Sequence, residues 1–347
     1  MHTVRKTKLA IASSLVIAAL SAGSAQAQSG GDFYRGKTIR LIVTTDAGGG
    51  YDLASRNIAR YMPNYIPGKP SFVVQNMPGA GSVKGTNYIY NVVAKDSTVM
   101  GSLGNQAPFA PMLGMDQALF DPTKFNWLGS PAAEVGLLMV WHAVPVDTIE
   151  DATKREVIMA TSGGGSTSAF YARTFNSVFG TKLKVLSGYT GMTGAFLAME
   201  RGEVDGFPSA FWSSLKATKP DWIRDKKVKF LIQYGTRTAN PELPDVPVAR
   251  DLAKSEEDKL ILDIAMAPLE LGRPFVMPPG VSAEHVEIMR KALMATFADK
   301  GFIADSNKQG LEVEPTTGEA LEAIIKETYG APKPVIDRLV SLYSDTK

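Results

Sequence analysis

Three glycine-rich loops are the segments of this sequence best suited to chemistry. Residues 46–52, 78–82 and 161–166 each place glycines and small side chains where a strand-like apolar run gives way to helical periodicity. Such a turn leaves backbone N–H groups unpaired at the positive end of a helix dipole, where a carboxylate or phosphate is held without a cationic side chain. A Cβ in the turn would keep the anion at a distance or forbid the backbone angles, so glycine suits it. Tight strand-to-helix turns need glycine in any case, and each loop alone has that purely structural explanation. Three of them, one in the second half of the chain, point to an anion site shared between two lobes.

Other chemistries fail on spacing. Gly48-Gly49-Gly50-Tyr51-Asp52 lacks the G-x-G-x-x-G of a dinucleotide loop, and no Gly-Lys-Ser/Thr follows any loop. Around Ser166 the G-x-S-x-G nucleophile elbow is missing too. There is no cysteine, which removes disulfides, thiolate catalysis and zinc-thiolate sites. Beyond the first few residues the histidines are His142 and His285, in neither metal-ligand nor triad spacing, and both read as structural. The expectation is no catalytic residue, no metal and no cofactor. Asp52 either caps the helix after the first loop, four residues before Arg56, or fixes that loop or meets the ligand. The cluster from Phe207 to Trp212 reads as core or as the wall of a crevice at a strand end.

These loops must sit on a scaffold, and the rest of the chain describes it. Residues 1–27 read as a secretory signal peptide: Arg5, Lys6 and Lys8, an apolar run from Leu9 to Leu20, then Ala25-Gln26-Ala27 for cleavage. That run is too short for a permanent span, which needs about 20 residues. Losing three of the 37 bases leaves 34 against 35 acids, so the exported chain is almost neutral and carries no footprint for nucleic acid. A hydrophobic content of 44% in 347 residues suffices for two domains. Alternating runs at 39–43, 72–75, 98–102, 137–141, 157–160, 183–186, 204–207 and 228–233 predict strands, interleaved with helical stripes such as Ala54/Ile58/Tyr61 and Phe170/Phe175/Phe179. Three more helices are expected after 282, with the Pro-rich stretch 240–247 crossing back between lobes. This is α/β grammar.

Taken in order, Lys37-Thr38-Ile39-Arg40-Leu41-Ile42-Val43, Gly48-Gly49-Gly50 with Asp52 and Arg56, and Asn76-Met77-Pro78-Gly79-Ala80-Gly81 with Gly85 resemble the substrate-binding proteins of tripartite tricarboxylate transporters, the Bug family. The likeness continues through 161–166, Gly202-Glu203-Val204-Asp205 and Leu243-Pro244-Asp245-Val246-Pro247. It implies a soluble, monomeric periplasmic receptor of two lobes, a Venus flytrap, with 28–129 and 240–347 forming lobe 1 and 130–239 lobe 2. Such a receptor captures a small carboxylate and hands it to membrane transporter subunits, or presents it to a sensor kinase; an exported anion-binding enzyme is the rival class. The candidate ligand-binding residues are Ala47, Gly48, Gly49, Gly50, Tyr51 and Asp52 from the first loop and Gly79, Ala80, Gly81 and Ser82 from the second. Ser162, Gly163, Gly164, Gly165, Ser166 and Thr167 come from the third, joined by Asn105 and Ser209. Tyr51, Met77, Lys95-Asp96-Ser97 and Ser209 depart from the family's usual residues, so its usual ligands do not transfer.

Overall fold

A computed structural model describes residues 33–163, 166–189 and 191–344; the proposed leader and the pair Gly164-Gly165 lie outside the described residues. The predicted strand at 39–43 is β1 (Thr38–Val43), with Ile39, Leu41, Ile42 and Val43 all buried. Burial on both faces follows from its central place: it pairs in parallel with β2 (Ser71–Asn76) on one side and β3 (Val99–Ser102) on the other. Helix α1 (Gly50–Tyr61) follows β1, and α2 (Val83–Asn91) follows β2. The sheet is completed by β4 (Asn126–Ser130) and, late in the chain, β10 (Phe275–Met277) and β11 (Thr316–Thr317), in the order β11-β4-β10-β3-β1-β2.

The second sheet uses residues between these. Its strands are β5 (Gly136–Trp141), β6 (Val157–Thr161), β7 (Leu183–Ser187), β8 (Gly206–Phe211) and β9 (Val228–Tyr234), ordered β7-β6-β8-β5-β9. Between them run the short α3 (Asp151–Lys154), then α4 (Thr167–Phe179), α5 (Gly191–Glu200), α6 (Trp212–Thr218) and α7 (Pro220–Arg224). The chain ends in α8 (Glu256–Leu271), α9 (Ala283–Phe297), α10 (Lys300–Lys308), α11 (Gly318–Tyr329) and α12 (Lys333–Ser344). Each sheet carries an apolar cluster on each face, as alternation along the strands demands: Ile39, Leu41 and Met100 on one side of the first, Ile42 and Val99 on the other. Leu138 and Val140, against Leu137 and Met139, divide the second sheet in the same way.

Two departures from the sequence reading concern where the chain changes sheets. The stretch 240–247 stays beside the second sheet: Gln233 of β9 donates its side-chain amide to the carbonyls of Leu243 and Val246, and Leu243 is buried in that sheet's cluster. The return comes only after α8, at Gly272 and Arg273, whose N–H donates to the Ser130 hydroxyl. Both α8 and α12 pack into the cluster that covers one face of the second sheet.

Candidate functional site

The strand-to-helix turn after β6 is built by local hydrogen bonds. Ser166 caps α4: its hydroxyl accepts from the Ala169 N–H at 3.3 Å and lies 2.6 Å from the Gly163 carbonyl. A second hydroxyl, Ser168, is 2.9 Å from it. The N–H groups of the first turn of α4, at Thr167 and Ser168, have no intrahelical acceptor, and they are positioned for an anion. Strand β8 forms the adjoining wall. It pairs with β6 only through Met159 and Gly206, and beyond that pair its register against β5 shifts, so that Phe207 enters the apolar cluster on one face of the second sheet and Phe211 packs against the cluster on the other.

Against that wall stands the loop after β3, fixed by Tyr51 of α1 and by its own Asn105. The Tyr51 hydroxyl accepts from the Asn105 N–H at 3.1 Å and donates to the Gly272 carbonyl at 3.1 Å, while the Asn105 amide donates to Pro268 at 2.8 Å. Burial pushes the Tyr51 phenol up to about 12, opposed by the Asn105 contact and the Arg273 guanidinium, so it remains a neutral donor. Beside them Gly104 accepts no side chain: a Cβ there would lie 2.3 Å from the Ser82 hydroxyl.

Together these elements enclose a cavity of about 560 Å³. Its lining unites five of the expected residues, Asn105, Ser162, Ser166, Thr167 and Ser209, with Phe207 and Phe211 from the cluster that could be core or wall. Gln106, Ser168, Tyr171, Met192 and Leu269 also line it and were not expected. Tyr171 was findable, since it lies four residues after Thr167 on the same helical face. Leu269 comes from an apolar run, and neither it nor Met192 carries a local mark of a site. No charged side chain appears among the described residues that line the cavity. None of the described residues forms a cluster of three or more His, Asp or Glu able to hold a metal.

The other expected residues stand apart from this lining. Ala47, Gly48 and Gly49 are exposed at the end of β1, and Gly50 and Tyr51 are half-buried. Gly79, Ala80 and Gly81 are exposed at the end of β2, with Ser82 buried, and all four have positive φ. Such a run in Ala80 and Ser82 is strained and must be held by its surroundings. Asp52 resolves in favour of fixing the loop. The cap position belongs to Gly49, and Asp52, three residues on, accepts from the Gly48 N–H at 2.8 Å, Arg56 Nε at 2.9 Å and Asn76 at 3.0 Å. Burial raises its pKa, but these three donors outweigh that and hold the carboxyl below its usual range. The Gly48 amide is thereby engaged within the loop. Of the histidines, His285 stacks on Phe33 at 4.1 Å and meets the Ser97 hydroxyl at 2.7 Å, a structural role, and His142 is exposed.

No protein-family model matches the chain, and no curated protein does. Solved structures do share its fold. A TctC solute-binding protein from Polaromonas superposes with a TM-score of 0.70 at 18% identity, over 90% of this chain and 99% of that one. The periplasmic binding protein BugD gives 0.57 at 21%, over 90% and 98%. MatC from Rhodopseudomonas palustris, solved with bound malate, gives 0.56 at 18%, over 89% and 99%. The architecture is therefore that of the two-lobed periplasmic solute-binding proteins, with a mixed sheet in each lobe.

Proposed function

We propose that this protein is a non-enzymatic periplasmic receptor that binds a small carboxylate between its two lobes and delivers it to a membrane transporter of the tripartite tricarboxylate type. The observation that carries this is the cavity of about 560 Å³ between the sheets, lined with hydroxyl groups at the start of α4 and with the amides of Asn105 and Gln106. A helix start of that kind stabilises a carboxylate without a cation, and a crevice beyond the strand ends is where open α/β sheets take ligands. The volume falls within the usual range for small-molecule pockets. The malate held by MatC, a protein of the same fold, supports the choice of ligand class. Export follows from the leader-like residues 1–27, and among the described residues no helix is long and apolar enough to cross a membrane. The lobes are centred on the two sheets.

A thermal-shift screen of the purified protein against mono-, di- and tricarboxylates, with phosphate and sugars as controls, tests the assignment. A cognate carboxylate at 100 times its Kd should stabilise by about 2.7 kcal/mol. Stabilisation by phosphate or a sugar with none by any carboxylate would contradict it.

A further inference from the structure

The cavity has an exposed end and a buried end. Ser162 is exposed, whereas Tyr171 and Leu269 are 0% and 1% exposed. The Tyr171 ring is clamped against Phe175 and Tyr234, with the Tyr234 centroid 5.1 Å away. Its hydroxyl is buried and makes no well-formed hydrogen bond, although the Gln106 side chain lies close enough to interact with it. Burial pushes its pKa up, with the neighbouring Gln106 side chain opposing, so the group is a neutral phenol donor. Tyr234 makes the contrast: buried just as deeply, it donates to the Pro208 carbonyl at 2.6 Å. A buried hydroxyl left without a partner is costly unless a ligand supplies one.

Building on the carboxylate reading above, we propose that Tyr171, with Gln106 beside it, is the specificity-determining end of the cavity and reads a neutral hydrogen-bond acceptor on the distal end of a monocarboxylate. The carboxylate itself lies toward Ser162 and the start of α4. Phe207, Phe211 and Met192 flank the apolar body between the two polar ends. A second carboxylate at the buried end would lose its hydration with no cation among the described lining residues to offset it. A carbonyl or amide loses far less there and satisfies both side chains: its oxygen accepts from Tyr171, and an amide N–H donates to Gln106.

Calorimetric titration with hexanoate, hexanedioate and the monoamide of hexanedioate separates the alternatives, because the last two match in shape and differ in charge. The purified protein should bind the monoamide about tenfold tighter than hexanoate, and tighter than hexanedioate. Tyr171→Phe should remove most of that advantage and leave hexanoate within about twofold. The variant should melt no lower than the parent, since the hydroxyl it loses makes no well-formed hydrogen bond in the protein. Preference for hexanedioate over the monoamide, an equal loss for all three ligands, or an unchanged preference in Tyr171→Phe would overturn the proposal and leave the carboxylate receptor standing. Absence of binding by all three would overturn the proposal, while the carboxylate receptor stands or falls by the thermal-shift screen.

Discussion

Single residues act here mostly by holding other residues. Tyr51 links Asn105 to the Gly272 carbonyl and so joins the first loop to the cavity wall and to the point where the chain changes sheets. Asp52 uses one carboxylate oxygen to hold Gly48 and Arg56 and the other to accept from Asn76 at the end of β2. The loops themselves were legible because glycine and hydroxyl residues mark a strand-to-helix turn locally. Which groups line the cavity was legible only in part, since Gln106, Met192 and Leu269 reach it through tertiary packing that no spacing records. Gly104 gives the sharpest residue-scale test. The Gly104→Ala substitution places a methyl 2.3 Å from the buried Ser82 hydroxyl and 3.0 Å from its Cβ, and Ser82 already sits at a φ of 79°. We expect a loss of about 1–3 kcal/mol in denaturant unfolding, the range for overpacking a tight site. Unchanged stability would show that the second loop is not held against Asn105 in this way.

At the scale of elements, helices with one apolar stripe were readable and the most deeply buried one was not. The stripe Val286, Met289, Leu293 and Phe297 opens after Ser282, and α9 is capped there, with Ser282 accepting from the His285 N–H. Helix α8 gave no such stripe. Eight of its apolar side chains between Ile261 and Leu271 are buried, so the sequence shows a nearly continuous run in place of a 3.6-residue period, and Pro268 interrupts it. Its start was nonetheless marked by Ser255, which caps Asp258, followed by three acids in the first turn. Strand β8 begins two residues later than expected and contains Pro208, and its register against β5 shifts between Leu137 and Met139.

Helix α8 also carries the clearest pH dependence. Burial raises the Glu270 carboxyl from 4.5 to about 6 against the opposing pull of Arg237, with Asp263 and Glu327 raising it further. Arg237 stands 3.6 Å from Glu270 and 2.6 Å from Glu327 on α11. A carboxyl whose folded pKa lies above its unfolded value binds its proton more tightly in the folded state. Its contribution to stability is therefore full below about 4.5 and is lost as pH rises through about 6. Denaturant unfolding from pH 4.5 to 7 should show this loss in the wild type and a flatter profile in Glu270→Gln. Parallel profiles would mean that Glu270 does not titrate in that window.

The whole molecule is two sheets joined where residues 131–135, Gly235 and the end of α8 lie side by side, with the Glu134 N–H donating to the Leu269 carbonyl. Further contacts tie the halves at their rims. Lys216 of α6 pairs with Glu242 and, at 2.7 Å, with Glu312, which follows α10; Arg273 pairs with Glu134 at 2.6 Å. Few joining segments and ion pairs at the edges suit a hinge that closes on a ligand. Alternation of strand and helix made this doubled α/β plan visible in the sequence. The chain's late return to the first sheet was not visible, because 240–247 has the composition of a crossing while its carbonyls serve Gln233. The central claim is that one small carboxylate occupies the cavity between the sheets. Calorimetric titration of the wild type and Ser209→Trp with the carboxylate that gives the largest thermal shift tests it most directly, once matched circular dichroism shows both folded. The account predicts one site per chain in the wild type and no measurable binding when the indole fills the cavity. Equal binding by both proteins would place the ligand elsewhere and contradict it.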